Sequence, residues 1–157
     1  MHPTVREFVE CAEKEYQLSV DPVEFSEGTK TAADAAEAIG CDVSQIVKSI
    51  AMYISSGELV VALTSGGNRV QENELADYYG VSDARSANPE EIKETLGWSI
   101  GGVPPMCYQT EVDRIIDRRL LEYNTVWAAA GTPQTVFAVS PKKLHKMTGA
   151  TIAEIFG

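Results

Sequence analysis

Lys48 is the residue whose position in this sequence most strongly indicates chemistry. It lies in the apolar segment 46–54, where the alternation of a β-strand places it on one face with Ile46, Ile50, Met52 and Ile54. Burial disfavours a charged ammonium group and costs several kcal/mol unless a ligand or partner compensates. Two interpretations follow: Lys48 serves a ligand site, or it lies near the sheet edge and extends its amine to water.

The segment Gly101-Gly102-Val103-Pro104-Pro105 is the second candidate. Glycines permit close approach of a ligand to the backbone, and prolines stiffen the chain that follows. Such a loop can direct main-chain N–H groups at a carbonyl oxygen, as in the oxyanion holes that promote ester hydrolysis. The alternative is an ordinary turn between a helix and a strand.

Other polar residues give weaker signals. The turn Gly66-Gly67-Asn68-Arg69 before a helix can offer backbone donors to phosphate, but it lacks the lysine and the spacing of nucleotide-binding loops. His145 lies among lysines on an expected solvent face, far in sequence from His2, which argues against a catalytic histidine. Asp113 and Asp117 are interpreted as turn residues.

The three cysteines, Cys11, Cys41 and Cys107, are odd in number and widely spaced. Their spacing contains no zinc-binding pattern, so we expect neither a metal nor an organic cofactor, and free thiols in a reducing compartment. Cys107 adjoins the glycine–proline loop and is an alternative nucleophile. The simpler interpretation is a small, partly buried apolar residue.

Apolar periodicity and turn residues predict how these candidates are positioned. We expect helices at 3–16, from Thr31 to Gly40, ending near Tyr79, from Asn88 to Gly97 and from Ser140 to Met147. Strands are predicted at 23–26, 46–54, 59–64, 114–116, 125–129 and 135–139. Hairpins interleaved with helices indicate an α+β fold, with a mixed, mostly antiparallel sheet in a single domain covering 1–157.

The order of these motifs resembles the YbaK/EbsC family of aminoacyl-tRNA deacylases. That family is similar to the editing domain inserted in bacterial prolyl-tRNA synthetases. The similarity runs from about Val23 to the end of the chain. It rests on Gln45-Ile46-Val47-Lys48-Ser49-Ile50, on Gly101 to Pro105, on Trp127-Ala128-Ala129-Ala130-Gly131-Thr132-Pro133, and on the segment 140–150.

The resemblance implies hydrolysis of the ester of mischarged aminoacyl-tRNA, with Lys48 and Gly101 in catalytic positions. It implies a fold like that of the prolyl-tRNA synthetase editing domain and a G-x-x-x-P loop from Gly101 to Pro105. Ser49 stands where many members have threonine. The expected substrate-binding residues are Phe25, Ser49, Gly102, Val103, Pro105 and Gly131. Alternatives are a non-catalytic module that binds tRNA ends or a synthetase, and a hydrolase of another small ester.

The net charge of −10 is unusual for a protein that acts on nucleic acid. Either the chain contacts only the terminal aminoacyl-adenosine of tRNA, with a synthetase as a further candidate partner, or it comes from a high-salt cytoplasm where repulsion is screened. The beginning of the chain has no signal-peptide pattern, and its apolar runs are far shorter than the ~20 residues of a membrane span. We therefore expect a cytoplasmic location and no membrane partner.

Overall fold

The computed structural model of the chain describes residues 1–25 and 31–157. Within these ranges the helices are α1 (Pro3–Tyr16), α2 (Ala32–Ile39), α3 (Glu72–Tyr79), α4 (Pro89–Leu96) and α5 (Pro141–Thr148). The strands are β1 (Val23–Glu24), β2 (Ile46–Ile54), β3 (Glu58–Ser65), β4 (Ala84–Ser86), β5 (Arg114–Ile116), β6 (Val126–Ala129), β7 (Thr135–Val139) and β8 (Thr151–Ile152). Two 3₁₀ helices lie at Val43–Gln45 and Arg118–Glu122.

The described strands form one sheet in the order β1-β7-β6-β2-β3-β5-β8, with β4 pairing with β2. The pairs β1–β7, β6–β7, β2–β3 and β2–β4 are antiparallel. The pairs β2–β6, β3–β5 and β5–β8 are parallel. The predicted α+β class with a mixed, mostly antiparallel sheet is confirmed.

Strand β2 has two different neighbours along one of its edges. β6 pairs with its beginning, at Ile46 and Val47, and β4 pairs with its end, from Met52 to Ile54. The N–H of Ala87, just after β4, also donates to the carbonyl of Ala51 at 2.9 Å. Between these two neighbours the sheet is split alongside residues 48–50.

The two faces of the sheet pack against different elements. One face carries Leu63 and Phe137 and packs on α1 through Phe8, and all three side chains are fully buried. The opposite face carries Met52 and packs against Leu75 of α3. Burial of each large apolar side chain contributes about 1.5–3 kcal/mol, so both layers hold β2 in place.

Side-chain caps start the helices where the sequence predicts them. Thr31 and Asp34 form a capping box at α2, and Asn88 and Glu91 form another at α4. The Ser140 hydroxyl accepts from the N–H of Lys143 at the start of α5. The predicted strand at 23–26 is confirmed as β1 over Val23–Glu24, and its last residue lies outside the described ranges.

The cysteine prediction is wrong for two of the three residues. Cys11 of α1 and Cys107 form a disulfide with a Cα–Cα distance of 6.2 Å, while Cys41 is free. A paired sulfur cannot be a nucleophile, so the alternative role for Cys107 is also excluded in this state. None of the described helices is long and apolar enough to cross a membrane.

Candidate functional site

A cavity of about 800 Å³ opens where the sheet is split. Its floor is β2 from Ile46 to Ala51, with β6 on one side and the residues after β4 on the other. The start of α2, the turn 66–69 and the loop around Gly101 complete its walls. The cavity therefore brings together elements that are far apart in sequence, including both predicted catalytic positions.

Lys48 is half-buried in this cavity, and its ammonium group is held in place. Nζ donates to the main-chain oxygen of Asn68 at 2.8 Å. Burial lowers the pKa of Lys48, and the nearby positive charge of Arg69 lowers it further, while Asp117 opposes both effects. The side chain thus ends on the cavity wall, which favours the ligand-site interpretation over an amine extended into bulk water.

Asp117 is a buried structural residue, which corrects its interpretation as a turn residue. Its Oδ2 accepts from the N–H of Ser65 and from Nδ2 of Asn68, both at 3.0 Å, and its Oδ1 accepts from the N–H of Arg119 at 3.0 Å. Only 4% of the residue is exposed. Asp117 therefore fixes the turn whose carbonyl binds Lys48.

Asp113 also departs from the simple turn interpretation. One of its carboxylate oxygens accepts from the hydroxyl of Tyr79 at 2.6 Å. Burial raises the pKa of Tyr79 and is the larger cause, and this hydrogen bond raises it further. This pair joins α3 to the start of β5 and has no part in the cavity wall.

Ser49 lines the cavity through the split in the sheet. The N–H of Gly66, just after β3, donates to the carbonyl of Ile46, so the main-chain groups of Ile46 face β3. Because main-chain groups alternate between the two edges of a strand, those of Ser49 and Ala51 face the edge of β2 opposite β3. At that edge the Ala51 carbonyl accepts a hydrogen bond from the N–H of Ala87. No residue of β6 pairs with Ser49 in the described chain, because the β2–β6 pairing ends at Val47. The Ser49 hydroxyl is buried and lies near the Tyr108 side chain.

The loop at Gly101 supplies two cavity-lining positions, Gly101 and Val103. Gly101 has φ +88°, a conformation that favours glycine. The N–H of Gly102 donates to the Ser99 carbonyl at 3.1 Å, so it closes the turn and is not a free donor. No main-chain hydrogen bond engages the N–H of Gly101 or of Val103 within the described ranges.

Two side chains brace this loop from inside the protein. The hydroxyl of Tyr108 donates to the Pro104 carbonyl at 2.6 Å, and Nε1 of Trp98 donates to the Cys107 carbonyl at 2.8 Å. The guanidinium of Arg114 lies 4.7 Å from the centre of the Tyr108 ring. These contacts give the loop a fixed backbone, which a preorganised set of donors requires.

Four of the predicted substrate-binding residues do not line the cavity: Phe25, Gly102, Pro105 and Gly131. Phe25 packs against the cluster formed by Ala35, Ala36 and Ile46. Gly102 allows the loop to approach the neighbouring turn, because a Cβ there would lie 2.7 Å from the Gly131 oxygen. Gly131 has φ +111°, and a Cβ on it would lie 3.1 Å from the Thr4 oxygen of α1.

The cavity is also lined by residues that are not among the predicted site residues, including Arg69, Ala87 and Trp127. The Gly66–Arg69 turn and the Trp127 motif carry a signal in the sequence, whereas Ala87 has none. No group of three or more His, Cys, Asp and Glu residues able to hold a metal occurs in the part of the chain that the structure describes.

Comparison with known families gives a match over most of the sequence. Residues 26–147 match the family described as the aminoacyl-tRNA editing domain. YwhH, an uncharacterized protein of Bacillus subtilis, is 27% identical over 128 residues, which cover 82% of this chain and 81% of that protein. A solved structure of a candidate trans-editing enzyme for prolyl-tRNA synthetase superposes with a TM-score of 0.92, at 37% identity, over 99% of this chain and 98% of the other.

Proline–tRNA ligases are also similar to this chain over a limited region. The Lactobacillus acidophilus enzyme is 33% identical over 121 residues, covering 71% of this chain and 21% of the ligase. The Xanthomonas axonopodis enzyme is 36% identical over 89 residues, covering 57% of this chain and 16% of the ligase. The chain thus spans about a fifth or less of these ligases, and their ligase activity is not transferred to it.

Proposed function

This chain belongs to the aminoacyl-tRNA editing domain family, and from that premise we propose that it hydrolyses the ester of mischarged aminoacyl-tRNA, acting in trans. The observation that carries the proposal is the cavity at the split sheet. One wall holds the fixed ammonium group of Lys48, and another contains Gly101 and Val103, whose N–H groups have no main-chain partner within the described residues. A cavity of about 800 Å³ is of the size that small-molecule sites have, so it suits the terminal aminoacyl-adenosine.

In the proposed reaction a water oxygen bonds to the carbonyl carbon of the ester. The bond between that carbon and the ribose oxygen then breaks, the ribose oxygen takes the proton that the water gives up, and a free amino acid and tRNA leave. The main-chain N–H groups of Gly101 and Val103 stabilise the developing oxyanion. An aminoacyl ester is intrinsically labile, so positioning and electrostatics suffice without a side-chain nucleophile.

Lys48 is proposed to anchor the terminal phosphate. Its ammonium group is held by the Asn68 carbonyl and lies close enough to Arg69 for the two cations to repel each other. A bound phosphate relieves this repulsion and compensates for the burial of the charge. The lowered pKa would also suit a general base, and the pH dependence of the reaction separates these roles.

The proposal is tested with a panel of proline tRNAs charged with proline, alanine, cysteine or serine, together with free aminoacyl esters. We expect release of at least one non-cognate amino acid well above the rate without protein. Binding of charged tRNA without any release would support the non-catalytic module instead. Equal turnover of free esters and charged tRNA would support a general small-ester hydrolase.

A further inference from the structure

We propose that an exposed basic face in the carboxyl-terminal part of the chain binds the phosphate backbone of the tRNA acceptor stem. The basic face consists of Arg118 and Arg119 on the second 3₁₀ helix and Lys142, Lys143 and Lys146 on α5. This inference rests on the proposed function, because it assigns a surface to the body of the RNA whose aminoacylated end enters the cavity.

Charge is distributed very unevenly along this acidic chain. Residues 114–157 contain six basic and three acidic residues, whereas residues 1–113 contain seven basic and twenty acidic ones. The carboxyl-terminal part therefore carries a net charge of +3 and the remainder −13. Charge asymmetry of this kind indicates a segment that meets a polyanion, and it resolves part of the conflict between the net charge and an RNA partner.

The lysines of the basic face are free of charged partners within the described ranges. Lys142, Lys143 and Lys146 are exposed and form no ion pair there, while Arg118 pairs with Glu154 and Arg119 with Glu122. Buried Leu144 and Thr148 face the core on the other side of α5. The basic face is therefore a solvated surface whose lysine charges are not neutralised within the protein.

Two of these three lysines are in an unfavourable position for the helix itself. Lys142 and Lys143 lie in the first turn, where the partial positive charge of the helix end favours anions, and that turn has no acidic residue. A phosphate bound there would be attracted by both the lysines and the helix end. A polyanion bound to this surface would compensate for the unfavourable placement of Lys142 and Lys143.

The basic face is connected to the cavity through a short chain of contacts. Lys48 binds the Asn68 carbonyl, the Asn68 side chain binds Asp117, and Asp117 immediately precedes Arg118. α5 packs against the same 3₁₀ helix, with Leu120 and Leu144 in one core cluster. The turn that holds Lys48 and the beginning of the basic face are therefore fixed to each other through Asp117.

The test measures binding of an uncharged proline tRNA transcript and of a single-stranded CCA oligonucleotide over a range of salt concentrations. The variant is Lys142→Gln with Lys143→Gln and Lys146→Gln, and the matched control is Arg6→Gln with Lys14→Gln and Lys93→Gln. The control removes three exposed cations from α1 and α4. Melting temperatures of both variants are compared with the wild type, to ensure that folded proteins are compared.

We expect the α5 variant to lose affinity for the tRNA on the order of tenfold or more at low salt. Each lost phosphate contact should also reduce the log–log salt slope by about 0.9, so the slope should fall by roughly 2 to 3. Binding of CCA should change little. Unchanged tRNA affinity, an equal loss with CCA, or an equal loss in the matched control would each overturn the proposal.

Ester cleavage is measured separately on the panel described above. If no ester is cleaved, the proposed function fails, and the binding experiment still decides whether the basic face contacts tRNA. If esters are cleaved but the α5 variant binds tRNA like the wild type, only the further inference fails.

Discussion

The ammonium nitrogen of Lys48 lies 2.8 Å from the main-chain oxygen of Asn68 and donates a hydrogen bond to it. Asn68 is itself held by Asp117, whose carboxylate also binds the N–H of Ser65 at the end of β3. A flexible side chain with several rotatable bonds is thereby fixed at its charged end by the backbone of a neighbouring turn. Such preorganisation lowers the entropic cost of binding an anion in the cavity.

Replacing Lys48 with Met should nearly abolish deacylation while leaving the fold intact or slightly more stable. Methionine retains an apolar stem of similar length, and the change removes a charge whose desolvation is unfavourable. Turnover on the best substrate of the panel and a thermal melt measure the two effects. Wild-type turnover in this variant would show that Lys48 has no role in the reaction.

The stability effect of the same substitution should depend on pH. Because the folded protein lowers the pKa of Lys48, its charged form destabilises the fold at pH values below the lowered pKa. This penalty diminishes as the pH rises towards the ordinary value of 10.5. The stability advantage of Lys48→Met should therefore shrink between neutral pH and pH 10.5, as measured by denaturant unfolding.

The pH dependence of activity distinguishes an anchor from a base. An anchor must be protonated, so kcat/KM, corrected for spontaneous hydrolysis, should fall as the pH rises through the lowered pKa of Lys48. In Lys48→Arg the side chain stays charged throughout, so its residual activity should show no such fall. A wild-type rate that instead rises through this pKa, with an inactive arginine variant, would identify Lys48 as the base.

Asp117→Asn should weaken both the fold and the site. The substitution replaces one of two accepting oxygens with a donor. Either the N–H of Ser65 and the amide of Asn68 lose their shared acceptor Oδ2, or the N–H of Arg119 loses Oδ1, at a cost of about 1–3 kcal/mol for each buried donor left unpaired. Activity should fall because the turn that holds Lys48 is released. The matched control is Asp113→Asn, on the exposed contact to Tyr79. Equal effects of both substitutions on activity would argue against a positioning role for Asp117.

Local patterns in the sequence predict most of the fold. The alternation of segment 46–54 and the turn that follows it identify the β2–β3 hairpin, because one face of each strand must be buried. Cap residues such as Thr31 and Asn88 locate helix starts because their hydrogen bonds are local. β4 and β8 are missed, because neither Ala84 to Ser86 nor Thr151-Ile152 offers the apolar run that indicates a strand.

Long-range pairing is what the sequence does not reveal. The split of the sheet arises because β6 and β4, which are separated by the whole of α4 and β5, meet the same edge of β2. The burial of Asp117 depends on its contact with the turn at Asn68, 49 positions earlier. The Cys11–Cys107 pair likewise joins residues 96 positions apart. No local pattern encodes these partners.

The two adjacent glycines of the loop should respond differently to substitution by alanine. A Cβ on Gly102 would lie 2.7 Å from both the Gly131 oxygen and the Thr132 Cα, so the backbone must shift. A Cβ on Gly101 would lie 3.4 Å from the Pro133 ring, an ordinary contact, but φ is +88°. Gly102→Ala should therefore destabilise the fold more than Gly101→Ala, in which strain costs ~1 kcal/mol or more.

Gly101→Ala is also expected to impair the reaction, because the new methyl group and the strained backbone displace an oxyanion donor. Loss of one such donor typically reduces the rate by about 100- to 1,000-fold. Gly40→Ala is the matched control, since Gly40 has φ +87° and no atom within 4 Å of its Cβ position. Its melting temperature should fall comparably, while the activity of its folded fraction stays normal. If Gly101→Ala deacylates as fast as this control per folded molecule, the loop does not form the oxyanion site.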